Sequence, residues 1–75
     1  MELKKLLKWA RQEPFRPFVV ILPSGTEVPV NHAEEIFFLP HPSRVEDILV
    51  YSGEDEFVFG PSAVTALRLS RKNGH

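Results

Sequence analysis

The chain of 75 residues contains no cysteine. Disulfide bridges, thiolate zinc sites and a cysteine nucleophile are therefore excluded. A domain of this length buries only about 60% of the surface that its unfolded chain exposes, and its single core supplies about 3–5 kcal/mol of stability. Because no covalent crosslink supplements this core, association with a second subunit is the expected source of further stability.

Long apolar runs are also missing. The longest, Phe18 to Leu22, has five residues, whereas a membrane span needs about 20. Lys4 and Lys5 resemble the start of a signal peptide, but Lys8 and Arg11 interrupt its apolar part and no small-residue cleavage site follows. We therefore expect a soluble, cytoplasmic protein with no membrane partner.

The net charge of −1 conceals three blocks of opposite sign. Residues 1–16 carry five Lys or Arg and two Glu, residues 17–60 carry one Arg and eight acidic residues, and residues 61–75 carry three Lys or Arg and no acidic residue. If the basic ends meet, they form a cationic surface for phosphate or for an acidic partner; otherwise they are solvated, or they neutralise the acidic middle of another copy. The candidate interaction surface consists of Lys4, Lys8, Arg11, Arg68, Arg71 and Lys72.

An amphipathic helix is predicted over about Glu2 to Gln12, because leucines and an alanine recur at i, i+3, i+4 and i+7. Such a short helix is marginal in water, so its apolar stripe must pack against a sheet. The segment Pro14–Phe18 contains two prolines and two phenylalanines, which predicts a stiff connection whose rings fasten the helix to that sheet. A ligand for SH3 or WW modules is the alternative interpretation of this segment.

The rest of the chain has strand character, interrupted by turns. The first turn is Pro23-Ser24-Gly25, the longest predicted loop is Pro40–Arg44, and a 3₁₀ turn is predicted at Gly60–Ala63. Pro29 is expected on an edge strand or at a bulge. The predicted strands are Phe18–Leu22, Thr26–Val30, Ile36–Leu39, Asp47–Tyr51, Glu56–Phe59 and Val64–Leu69.

This order predicts a mainly β fold with one N-terminal α-helix: a small SH3/Sm-like antiparallel barrel of five or six strands. The alternative is an α+β domain in which the helix packs on an open antiparallel sheet. We expect residues 1–70 to form one small domain and residues 71–75 to be a flexible tail.

No catalytic pattern is present. His32 and His41 lack the spacing that places two metal ligands on one helical face, and any role for them stays open. The four serines between Ser24 and Ser62 stand in turns without a nucleophile elbow. The expectation is a protein that is not an enzyme and has no metal, cofactor or small-molecule substrate.

A non-enzymatic interaction module, acting through protein-protein contact or self-association, is the function that the sequence favours. The reasons are the small core, exposed sheet edges, charge blocks that pair between copies, and two strands that are apolar on both faces. The alternative is an Sm-like protein that binds single-stranded RNA, with the basic residues on phosphates and Phe15, Phe37 or Tyr51 stacking on bases. A pI of about 6.3 weighs against RNA, and the aromatics are expected mainly in the core.

The segments Pro14–Phe18, Pro23–Thr26 and Val30–Glu34 resemble a group of small uncharacterised bacterial proteins. These open with a short helix, a Pro-Phe-x-Pro-Phe box, a strand ending in Ser/Thr-Asp-Gly and a Val-x-His-Pro-Glu element, and Val64–Leu69 is similar to their last strand. Ser24 replaces their aspartate and Ala33 replaces their proline. The resemblance implies the helix-plus-barrel fold and a non-enzymatic role, and it implies no site residues.

We predict that the purified protein binds no stoichiometric zinc, because a closed zinc site takes four nitrogen, sulfur or oxygen ligands and no such cluster is apparent in the sequence. Elemental analysis after dialysis against a zinc-containing buffer measures this directly. One equivalent of zinc per chain would contradict the prediction.

Overall fold

The computed structural model describes residues 2–70, so the predicted tail at residues 71–75, with Arg71 and Lys72, lies outside the described part. The fold is mainly β with one N-terminal helix. Two short 3₁₀ turns, Ala33–Glu35 and Pro61–Ala63, precede the third and the sixth strand. The helix and strands are α1 (Glu2–Ala10), β1 (Phe18–Ile21), β2 (Glu27–Val30), β3 (Ile36–His41), β4 (Arg44–Ser52), β5 (Asp55–Phe59) and β6 (Ala66–Leu69).

The helix α1 ends two residues before the predicted end. The amides of Arg11 and Gln12 still donate to carbonyls of the last turn, at 3.2 Å to Leu7 and 3.4 Å to Trp9 respectively, and the chain then leaves the helix ahead of Pro14. The predicted stripe does face the core: Leu6 is fully buried, Ala10 is buried and Leu3 is half-buried. The 3.6-residue period therefore identified the packed side of the helix correctly.

The first sheet has the order β2-β1-β6, with all pairs antiparallel. Its hairpin turns at Gly25, whose φ of +90° is a conformation that favours glycine, and the Gly25 amide donates to the Leu22 carbonyl at 2.8 Å. Pro29 lies on β2, an edge strand, as its missing N–H predicted. The central strand β1 is thus held on both sides by partners from opposite ends of the chain.

The second sheet, β3-β4-β5, is a meander with tight turns. The predicted long loop Pro40–Arg44 is wrong: β3 continues through His41, and only Pro42 and Ser43 form the turn. The sheet accommodates Pro40 through a shift of register between Leu39 and Pro40, which is the bulge position that proline tolerates within a sheet.

The two sheets do not close into a barrel. Each has three strands, with β2 and β3 on separate sheets and the 3₁₀ turn Ala33–Glu35 between them. The expected closed barrel is therefore wrong, and the structure is a small α+β arrangement of two sheets and one helix. If β2 had continued into β3 as one strand, that strand would have joined the two sheets. The 3₁₀ turn Ala33–Glu35 interrupts the strand at this point.

One apolar core lies between the two sheets and under the helix. Strand β2 packs against β4, while α1 packs against β6 and the second 3₁₀ turn. The fully buried side chains come from the helix and from both sheets: Leu6, Phe18, Val20, Val28, Val30, Ile48 and Val50. No polar or charged side chain is buried among residues 3–70, so apolar packing is the main contribution to stability.

Phe18 joins the helix to the sheets. Its ring centroid lies 5.6 Å from that of Trp9, edge to face, and 5.9 Å from that of Phe15. The Pro14–Phe18 segment thus places one aromatic ring beside the helix and one in the core, which agrees with its predicted fastening role. Lys5 covers the outside of Trp9, with its ammonium 5.2 Å from the ring centroid.

We expect Phe18→Ala to leave the protein largely unfolded. Removing a buried phenylalanine ring costs about 3–5 kcal/mol, which equals the whole stability expected of a core this small. Circular dichroism and urea titration measure the effect. Val58→Ala is the control, since this largely exposed residue should change the free energy of unfolding by less than about 1 kcal/mol; a cooperative transition in Phe18→Ala near the wild-type midpoint would contradict the prediction.

Candidate functional site

The sheet β3-β4-β5 carries apolar side chains on the side that faces away from the core. Phe37 pairs with Leu49 and Leu49 pairs with Val58, so these three residues form one row across all three strands. Directly opposed residues on one sheet face have their Cβ atoms about 4.5–5.5 Å apart, and the row is therefore continuous. We call the outer face the set Phe37, Leu39, Leu49, Tyr51 and Val58.

The outer face is open to solvent. Val58 is 65% exposed, Phe37 42%, and Leu39 and Tyr51 41% each. The rings of Phe37 and Tyr51 meet edge to face with centroids 5.8 Å apart. The expectation that the aromatics lie in the core is wrong for these two rings, which stabilise each other at the surface instead.

Two carboxylates lie on the same side of the sheet. Asp47 pairs with Leu39 and Glu56 pairs with Tyr51, both in the register that places directly opposed residues on one face. Both acids are exposed. The outer face is thus apolar in its central row, and one carboxylate stands in the row on either side of it.

Side chains along each strand point alternately to the inner and the outer side of the sheet, which explains why the apolar residues on this side remain uncovered. Ile36, Phe38, Ile48, Val50 and Phe59 point inward, where they belong to the core or pack against it. The helix lies on that inner side as well, because Leu6 and Ala10 are members of the same core. Nothing in residues 2–70 lies across the outer face, although its strands are apolar on both sides.

The corresponding side of the first sheet is covered. Arg68 of β6 reaches over β1 to Glu27 of β2 and donates two hydrogen bonds, Nη2 to Oε1 at 3.0 Å and Nη1 to Oε2 at 3.3 Å. Val19, which lies opposite Arg68 on the central strand, is buried. The aliphatic stems of such side chains cover apolar surface, so among the described residues the second sheet has the more open apolar side.

The six residues predicted as an interaction surface are not gathered in one place. Lys4, Lys8 and Arg11 are exposed, and their spacing places them along one side of α1. Arg68 points away from the core on β6, since its neighbour Leu67 packs against the core, and its charge is paired with Glu27. Arg71 and Lys72 lie outside the described residues.

A groove runs between the helix and the β3–β4 turn, with a volume of about 430 Å³. Its lining is mostly apolar and includes one cation, Lys4. Lys8 lies one helical turn from Lys4. We call the helix groove the set Leu3, Lys4, Leu7, Pro42, Ser43 and Val45.

His32 and His41, the two histidines among the described residues, do not form a site. His41 Nδ1 lies 2.8 Å from the Ser43 hydroxyl and accepts the Ser43 amide at 3.1 Å, which stabilises the β3–β4 turn. His32 precedes the first 3₁₀ turn and is exposed. Within residues 2–70, no three His, Asp or Glu side chains are grouped closely enough to hold a metal ion.

Comparison with protein-family models, with curated proteins and with solved structures gives no match for this chain. Within residues 2–70, no helix has the length and apolar character needed to cross a membrane.

Sequence reasoning did not identify the outer face, although part of the signal was present. It recognised that Ile36 to Leu39 is apolar on both faces, but it did not single out Leu49 or Val58. These belong to strands whose outward positions alternate between apolar and acidic residues. Register alone places the three residues in a row, and register depends on the exact length of the two turns and on the shift after Leu39, which the sequence pattern does not specify.

We expect the Glu27–Arg68 pair to contribute stability that is lost in acid. The Arg68 guanidinium, by hydrogen bonding and then by its charge, holds the pKa of Glu27 below its ordinary value. The contribution is therefore present above the unfolded-state value of about 4.3 and disappears as the pH falls through the lower folded-state pKa. Because both groups are exposed, the effect is small.

Urea titrations of wild type and Glu27→Gln at pH values from about 6 down to about 2 measure this contribution. The difference between the two proteins should shrink as the pH falls. In an Arg68→Gln background, Glu27→Gln should no longer change the pH dependence. An equal difference at every pH would show that the pair has no such role.

Proposed function

We propose that this protein is a non-enzymatic interaction domain that binds another protein subunit through the outer face. The observation that carries the proposal is the row in which Phe37 and Val58 are exposed and Leu49 is half-buried, flanked by the exposed Leu39 and Tyr51. Contiguous exposed apolar residues with a polar rim mark interaction sites, because water contact with such a patch is unfavourable.

The composition of the outer face also supports this proposal. Aromatic residues are enriched in protein interfaces, and charged residues are depleted from their centres and kept at the rim. Phe37 and Tyr51 supply the aromatic rings, while Asp47 and Glu56 lie in the rows on either side of the central row. The rigid meander beneath them presents these side chains without a conformational change, which lowers the entropic cost of binding.

We further propose that the fold is an open variant of the SH3/Sm-like arrangement. Three features support it: the N-terminal helix, the 3₁₀ turn Pro61–Ala63 before the last strand, and the return of β6 to pair with β1. The 3₁₀ turn Ala33–Glu35 would then mark the place where one bent strand is divided into β2 and β3.

Single-stranded RNA binding is the second candidate. The adjacent exposed rings of Phe37 and Tyr51 are of the kind that stack on bases. However, Asp47 and Glu56 on the same face repel phosphates, and the helix cations lie on the other side of the sheet. The electrostatics of the outer face therefore favour a protein partner over RNA.

Val58→Lys tests the proposal. Val58 is 65% exposed, so the fold should survive while the centre of any interface acquires a charge that must be desolvated on binding. Tagged wild type and variant are purified from the native host, and co-purifying molecules are identified by mass spectrometry and by nuclease treatment. We expect a protein, either a second copy or a different chain, that is recovered with wild type and lost with Val58→Lys.

Ser62→Lys is the matched control, because Ser62 is exposed on the 3₁₀ turn away from the outer face. It should retain the same partner as wild type. Recovery of identical proteins with all three baits would contradict the proposed face. Recovery of RNA alone, lost after Lys4→Gln and Lys8→Gln, would favour the second candidate instead.

A further inference from the structure

We propose that the partner of the outer face is the helix groove of a second copy of this chain, in a head-to-tail contact. This inference rests on the proposed function and specifies its partner. It depends on three observations: the two apolar surfaces of the molecule lie on opposite sides, they carry opposite charges, and neither is covered by any of residues 2–70.

The two surfaces cannot meet within one copy. Val45, in the groove, packs against the core side of the second sheet, whereas Leu49 belongs to the row on the opposite side. The register shift after Leu39 leaves Glu46 unpaired between these two segments of β4. Contact between outer face and helix groove must therefore join two molecules.

The charges at the two surfaces are complementary. Asp47 and Glu56 lie on the outer face, and Glu54 lies in the adjacent β4–β5 turn. Lys4 lines the helix groove and Lys8 is exposed one turn further along α1. Beside the groove, Arg44 and Glu46 form an exposed ion pair with a nitrogen–oxygen distance of 3.4 Å and contribute no net charge.

The same charges disfavour a symmetric pairing of two outer faces. In such a dimer Asp47 and Glu56 of both copies would approach across an apolar centre, and residues 36–59 contain no cation to neutralise them except Arg44, which is paired with Glu46. Like charges opposed in an interface weaken it. A head-to-tail contact instead places acids against Lys4 and Lys8, and it builds a ring if the rotation closes or a chain if it does not.

Analytical ultracentrifugation of charge variants tests this geometry. We expect wild-type protein to show a mass that rises with concentration up to about 500 µM and falls when salt is raised from about 50 mM to about 500 mM, since screening weakens the complementary charges. Asp47→Lys with Glu56→Lys reverses the charge of the outer face, and Lys4→Glu with Lys8→Glu reverses the charge of the helix groove. Each double variant alone should be monomeric.

Mixing the two double variants is the decisive arm. Each retains one unchanged surface, and their two changed surfaces again carry opposite charges, so an equimolar mixture should regain the concentration-dependent association of wild type, as should the chain with all four changes. Glu34→Lys and Arg16→Glu are the matched controls, because they are exposed and lie outside both surfaces. Circular dichroism confirms that each variant is folded. If Lys4→Glu with Lys8→Glu does not fold, Lys4→Gln with Lys8→Gln is used in its place.

Monomeric wild type across the whole concentration range would overturn the head-to-tail contact. So would a mixture that stays monomeric although both variants are folded, or association that Lys4→Glu with Lys8→Glu leaves intact. If wild type is monomeric but a different protein is still lost from Val58→Lys in the purification from the host, the outer face retains its proposed function and only the identity of its partner is wrong.

Discussion

The packing around Phe18 is the interaction on which the rest of the structure depends. Phe18 is fully buried and begins β1, the central strand of the first sheet, and it contacts Trp9 of the helix and Phe15 of the connection. Its strand partners are Val30 and Leu69. One ring thus joins the helix, the proline connection and both neighbouring strands, which lets a chain without disulfides hold a helix and two sheets together.

The outward sides of the two sheets differ in how far they are covered. On the first sheet, the Glu27–Arg68 pair lies across β1 and Val19 is buried beneath it. On the second sheet, the central row consists of Phe37, Leu49 and Val58, and the acids stand only in the rows on either side of it. The first sheet shows that a domain of this size can cover an apolar residue on its outward side. The exposure of the row on the second sheet therefore follows from its particular residues and not from the size of the domain.

Much of the architecture could be predicted from the sequence, because its signals are local. The spacing of Leu6 and Ala10 predicted the packed side of the helix, and Gly25 and Pro29 predicted a turn and an edge strand. The predictions failed where distant parts of the chain decide the outcome. Pro40 was expected to end a strand, yet a register shift accommodates it, and closure of the barrel would need pairing between the two sheets that no local pattern specifies.

The candidate site was harder to predict for the same reason. The basic residues were predicted to form an interaction surface because charges can be read directly from a sequence. However, Arg68 is paired with Glu27 and lies apart from the helix cations. The outer face consists of residues that are ordinary in isolation and become a surface only through the register of three strands. A pattern of apolar residues on both faces of a strand shows that something must cover it, but not which neighbours share the face.

The meander of β3, β4 and β5 has a consequence for the order in which the chain folds. Its turns are two residues long, with Gly53 at φ +64° in one of them, so its contacts are close in sequence and its loops close at little entropic cost. The first sheet must instead bring β1 together with β6 from the far end of the chain, which is slower. On the ribosome the meander would therefore emerge and pair before β6 is available, with its inner and outer sides both exposed. During that interval the newly made chain is most vulnerable to aggregation, and a chaperone that shields apolar sheets would act on it then.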